Sequence, residues 1–170
     1  MALAFKEWSF IVEALGKGYQ NIILRKGGIQ EDGNGFEVKG NKFLLFPTLF
    51  HQADQHVKSK WFKDFQPDKF HTANNKIIIS YFAEIPDTKI ITDWQILEKL
   101  FPYHAWEEGI IKERFNRWEK QVHLLIVQTY QMQQPLIIEN LPEYSGCKSW
   151  IDIKEEVTLD GQPVKNLNIK

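Results

Sequence analysis

Between positions 22 and 52, two short apolar runs, residues 22–24 and 43–46, enclose five glycines at 27, 28, 33, 35 and 40 and a dense mixture of Arg, Lys, acidic and His groups. Runs this short, β-branched or aromatic and bounded by glycine, predict buried strands rather than helix. The glycines permit backbone conformations closed to other residues and close approach by a ligand. Sites carried on strand ends and loops have this pattern, so one segment constrains both the fold and the place to look for chemistry.

The same pattern recurs downstream. Residues 76–85, KIIISYFAEI, form a nearly continuous apolar run broken by Pro86, and 89–92 predict a short strand after it. A second long strand is predicted over 122–131, then Pro135 and a short run at 136–138, with last strands at 149–153 and 157–159 around a turn at Asp160 and Gly161. Strand 42–46 is expected to stop at Pro47. Helical spacing is clearest near the start, where Trp8, Ile11, Val12 and Leu15 share a face after an extended lead; Gly16 and Gly18 end the helix and a strand follows over 20–25. Further helices are predicted over 48–65, capped by Thr48 with Leu49, Phe50, Ala53, Val57 and Trp61 as its stripe, after Asp93, and over 107–118. Six or seven strands with interspersed helices make an α+β chain with enough strands for a small closed barrel. Residues 1–165 read as a single globular domain and 166–170 as a flexible tail.

With 170 residues, 43% hydrophobic and 14% aromatic, the chain can bury one core, and twelve Phe and six Trp leave rings to spare for a surface. A net charge of −1 gives no global attraction to polyanions, so any such site must come from local clustering. One cysteine, Cys147, precludes an internal disulfide and fits a reducing compartment. The first ten residues resemble neither a signal peptide nor a membrane span, so a cytoplasmic protein without a membrane partner is expected.

Arg25 and Lys26, followed by Gly27 and Gly28, set two cations beside a backbone able to expose its N–H groups, a cradle for phosphate. His51 and Gln52 could join Arg25 in holding a phosphate or reading a base edge, since Gln offers a bidentate amide and Arg a bidentate fork. Trp106 beside His104, and Trp150 beside Lys148, are candidate faces on which a base could stack. Each of these residues also has an ordinary reading as turn, cap or core. Arg114, Arg117, Lys112 and Lys120 make one helix face basic, but Glu107, Glu108, Glu113 and Glu119 dilute it into a mixed exposed face.

Two alternatives stand beside this. Asp32 with Glu37 and Lys39 resembles the acid plus E-x-K arrangement of PD-(D/E)XK nucleases, in which carboxylates hold Mg²⁺ and a lysine positions the attacking water. A protein-binding module would instead use exposed Trp and Phe as anchors. The five histidines, at 51, 56, 71, 104 and 123, show no zinc spacing, and Cys147 has no identifiable base partner.

The segments EWSFIVEALGKGYQNIILRKGGI, FLLFPTLFHQ, LFPYHAW and YSGCKSW resemble, over almost the whole chain, a bacterial family called domain of unknown function 1802, common in cyanobacteria. A helix ending in glycine and then a strand ending in arginine is more distantly similar to the opening of ASCH domains, members of the PUA-like superfamily. Gly18 and Arg25 stand at that pattern's glycine and arginine, while Gln20 replaces its usual Lys and Ile23 its usual Glu. The resemblance implies a PUA-like mixed β-barrel with helical insertions. The departures at Gln20 and Ile23 remove polar groups of that pattern, so the resemblance bears on fold more than on activity; the charged residues themselves lead to the expectation that a concave face near Arg25, Lys26, His51 and Gln52 binds a nucleotide or single-stranded RNA, with no cofactor.

Overall fold

The structure, a computed structural model, describes residues 1–26, 36–49, 56–63 and 65–167. Seven strands form one mixed sheet: β1 (Ala2–Trp8), β2 (Ile22–Arg25), β3 (Lys42–Thr48), β4 (Lys76–Ile91), β5 (Val122–Glu139), β6 (Trp150–Ile153) and β7 (Gly161–Pro163). The hydrogen-bonded order is β2-β5-β4-β3-β1-β6, with β7 added to β5. β1 and β3 run parallel and the other pairs are antiparallel. Four helices are described: α1 (Ser9–Gly16), α2 (Ser59–Phe62), α3 (Trp94–Lys99) and α4 (Glu108–Asn116).

Both faces of the sheet are covered along β1 and β3, which read as continuous apolar runs, whereas the later halves of β4 and β5 are largely exposed. Alternation still sorts the side chains. Phe5, Phe43, Leu45, Ala83 and Trp150 join the core shared with α1 and α4, and Ala4, Leu44, Phe46, Phe82 and Ile151 join the core on the other face. The strand path is open: among the described residues no ladder joins β2 to β6. A side-chain bridge between Arg25, at the end of β2, and Ser149, just before β6, spans the gap.

Three predicted strand breaks are absent, and each proline explains why. β4 runs through Pro86 because a register irregularity between Glu84 and Asp87 absorbs the missing donor, and β5 runs through Pro135 opposite another between Ile79 and Tyr81. β3 continues through Pro47, which pairs with Glu7 of β1; the β4 ladder covers only residues 42–44, so no bond on that side is lost. The helix expected over 48–65 is not one element. Thr48 ends β3 and gives its hydroxyl to the Glu7 carbonyl (3.2 Å), Val57 bridges to Trp106, and only the short α2 follows. The last strand lies at 161–163 rather than 157–159.

α1 ends in a Schellman motif. The Tyr19 amide donates to Ala14 O (2.9 Å) and the Gly18 amide to Leu15 O (3.1 Å), with Gly18 at φ +74°. A Cβ at Gly18 would sit 2.0 Å from the Lys165 carbonyl oxygen, because the chain near its end returns here and the Leu167 amide donates to Gly18 O (2.8 Å). Gly18→Ala should therefore cost more than the roughly 1–2 kcal/mol of left-handed backbone alone, read as a lower midpoint in urea. An unchanged midpoint would show that this turn carries no such constraint.

Candidate functional site

β1 passes through the sheet and delivers Glu7, 1% exposed, beneath the end of β2. The Trp8 amide donates to Glu7 Oε1 (2.8 Å), and Arg25 Nη1 lies 3.8 Å from the same oxygen. The Arg25 guanidinium lies over the Phe5 ring (5.1 Å) and its Nε donates to Ser149 Oγ (3.1 Å). Burial pushes the Glu7 carboxyl up from the usual carboxylate range, opposed first by Arg25, then by the Trp8 amide and by Arg114.

Arg114 reaches the same place from α4. Its guanidinium lies 4.0 Å from the Trp106 ring centroid and 5.8 Å from that of Trp8. Burial lowers its pKa to about 10, with Glu7 pulling the other way and Arg25 adding to the fall, so it remains a cation at neutral pH. Arg25 thus pairs with the buried Glu7 carboxylate, and Arg114 lies near enough to favour its charge. With Glu7 ionised the three groups sum to +1, and protonating it only adds to the excess.

A second set of cations borders Arg25. Lys6 lies on the opposite face of β1 from Glu7 and donates to Gly146 O (2.8 Å), while its amide bonds to Ser149 O (2.8 Å). Burial lowers the Lys6 pKa, and Lys148 and Arg25 lower it further by repulsion, with Cys147 opposing. Lys148 is exposed and donates to Glu143 O (3.2 Å). The loop carrying residues 146–149 therefore brings two lysines and Arg25 to the gap between the end strands.

Other sequence candidates have different fates. Lys26 beside Arg25 is half-buried and its ammonium is already engaged: it donates to the carbonyls of Phe115 (3.5 Å), Glu119 and Gln121 (2.7 Å), using its three donors to hold the turn after α4. Trp106, 1% exposed, is packed edge-on against Trp8 and Phe10 and gives its face to Arg114 rather than to a base. Trp150, 8% exposed, packs among Phe5, Phe36 and Phe43 and donates its indole N–H to Glu37 O (2.8 Å). Neither indole offers an open face, because a chain this rich in rings uses them first to fill its core. Gly27, Gly28, His51 and Gln52 lie outside the described residues, as does Asp32. Glu37 and Lys39 are exposed on an irregular segment, so the strand that would aim an E-x-K pair to one side is not formed there. Cys147 is exposed.

Glu7 and Arg114 were not legible as site residues. Arg114 read as one charge on a mixed helix face, and Glu7 as the end of an extended lead. The available signal was an acid two residues after Phe5, on the same face of an extended segment, and next to Trp8.

The family model for the domain of unknown function DUF1802 matches residues 4–168. The chain belongs to the DUF1802 family. Curated proteins show no match to this DUF1802 chain. Among solved structures it is similar to the ASCH protein of Zymomonas mobilis, at 8% identity and a TM-score of 0.52, over 90% of this chain and 87% of that one. A tyrosine-to-phenylalanine mutant of the same protein matches at 9% identity and a TM-score of 0.52, covering 90% of each chain. A serine-to-alanine mutant matches at 8% identity and 0.52, over 90% and 88%. At this identity the likeness is one of fold, and the DUF1802 chain has the fold of an ASCH domain. No helix among the described residues is long and apolar enough to cross a membrane.

Proposed function

We propose that this protein binds a nucleotide or single-stranded RNA through its phosphates, at the gap between β2 and β6. The observation that carries the reading is Arg25, paired with the buried carboxylate of Glu7, with a second guanidinium, Arg114, held close by over Trp106 and Trp8, the neighbour of Glu7. Guanidinium forks match phosphate oxygens in pairs, and part-burial strengthens each bond relative to one made in water. Lys148, exposed beside Ser149, extends the positive rim to a second phosphate. In this reading Arg25 and Ser149 close the sheet as a PUA-like barrel by side chains instead of a ladder, and the ligand lies across that seam.

The test is fluorescence anisotropy of a labelled single-stranded RNA against salt. Lys148→Ala, a surface change that should leave the melting temperature in place, is expected to weaken binding and to shallow the slope of log K against log salt by about 0.7. Combining it with Arg25→Lys, which keeps the charge but loses the fork, should weaken binding at least about tenfold in total. Binding that is absent, or indifferent to salt and to both changes, would remove the proposal.

A further inference from the structure

Resting on that reading of the anion site, we propose that Trp118 is the platform on which a base of the bound RNA stacks. α4 stops at Asn116, and Trp118 follows at φ +56° with 52% of its surface exposed. Left-handed backbone is unfavourable for a bulky side chain, and an exposed indole gains little from the core, so neither folding preference accounts for the arrangement. The turn is nevertheless held firmly. Lys26 binds the carbonyls of Phe115, Glu119 and Gln121, on both sides of Trp118.

The ring is also oriented. Arg117 lies 5.7 Å from its centroid, and that guanidinium is fixed in turn by Glu113, with Nε at 2.8 Å from Oε1 and Nη2 at 2.6 Å from Oε2. Among the described residues no other ring contacts Trp118. Its place is set by chain continuity: the clamp residue Lys26 is bonded to Arg25, and Arg114 lies one helical turn earlier on the element that leads to Trp118. Glu113 and Glu119 offset the charges of Arg117 and Lys120, so this edge offers an aromatic face rather than a strong positive field. A base has such a face to stack on it, whatever its identity, and its own phosphate can reach toward the guanidiniums.

The experiment compares wild type, Trp118→Ala, Trp118→Phe and Lys148→Ala with a short single-stranded RNA and with an abasic strand of the same length. Trp118→Ala should weaken the RNA complex about 5- to 150-fold and leave the abasic complex unchanged, and Trp118→Phe should recover most of the loss. If Trp118→Ala binds RNA like wild type while Lys148→Ala is weakened, stacking is wrong and the anion site stands. Equal losses on both strands would also overturn stacking, since the turn would then serve the backbone. If wild type binds neither strand, the anion site itself falls and the platform with it.

Discussion

Replacing Trp106 by alanine should lower the stability of this domain by about 3–5 kcal/mol, the range for truncating a buried aromatic. The indole is 1% exposed and central to a group of rings, 4.8 Å from Trp8 and 5.0 Å from Phe10, both edge-on. It also supports Arg114 at 4.0 Å, so the loss includes the surface on which a half-buried guanidinium rests. The measurement is chemical unfolding followed by circular dichroism. A loss under about 1 kcal/mol would mean that the rings around it collapse into the space, and that Arg114 does not depend on this support. Trp106→Phe, which keeps an aromatic face at smaller volume, should retain part of both effects.

The second large effect is on pH. His104 is 1% exposed, and its pKa is lowered to about 3 by burial first, then by Lys58 and Arg114. The Trp106 amide donates to its Nδ1 (3.2 Å), so the neutral ring carries its proton on Nε2, which has no partner among the described residues. A second proton would have to enter at Nδ1, break that bond and place a charge beside two cations. The unfolded chain has an ordinary imidazole near 6.5 and takes up a proton that the folded protein refuses. The stability tied to neutral His104 is therefore complete above pH 6.5 and drains away as pH falls from 6.5 toward 3, with a loss of about 2 kcal/mol by pH 5. His104→Asn keeps an acceptor for the Trp106 amide without the titration, so its unfolding free energy should be flatter between pH 7.5 and 5. A wild-type profile as flat as that of the variant would contradict this account. Glu7 acts in the opposite sense: its raised pKa favours the folded state at low pH and withdraws that contribution as pH rises from the ordinary carboxylate value through the raised one. The two contributions are separable because only that of His104 disappears in His104→Asn.

The helix over 9–16, the strands at 22–25, 42–46 and 76–85 and the Asp93 cap were legible because each rests on a local cause: periodicity, β-branched runs, or a side chain accepting the Gln95 amide (2.9 Å). Pro47, Pro86 and Pro135 misled because a proline's effect on a strand depends on whether its neighbour still pairs there, and that is a property of the partner strand. Residues 50–55 of the helix expected over 48–65 lie outside the described residues, and its continuity is lost at Val57 for a related reason. An apolar stripe shows that Val57 is buried but not that a distant strand-like contact with Trp106 buries it.

The sequence by itself determined that Arg25 ends a strand, that the chain carries more rings than its surface can use, and that net charge is too low for an unfocused polyanion site, since these follow from residue type and nearest neighbours. Only the tertiary structure decided which cations converge. Arg25 met Glu7 and Ser149, Arg114 joined them from another element, and Lys26, the nearest neighbour in the chain, turned away to hold a loop. The reason is that charges interact through space, and residues 18 and 124 positions apart come within reach only after the sheet has formed and its helices have packed on it.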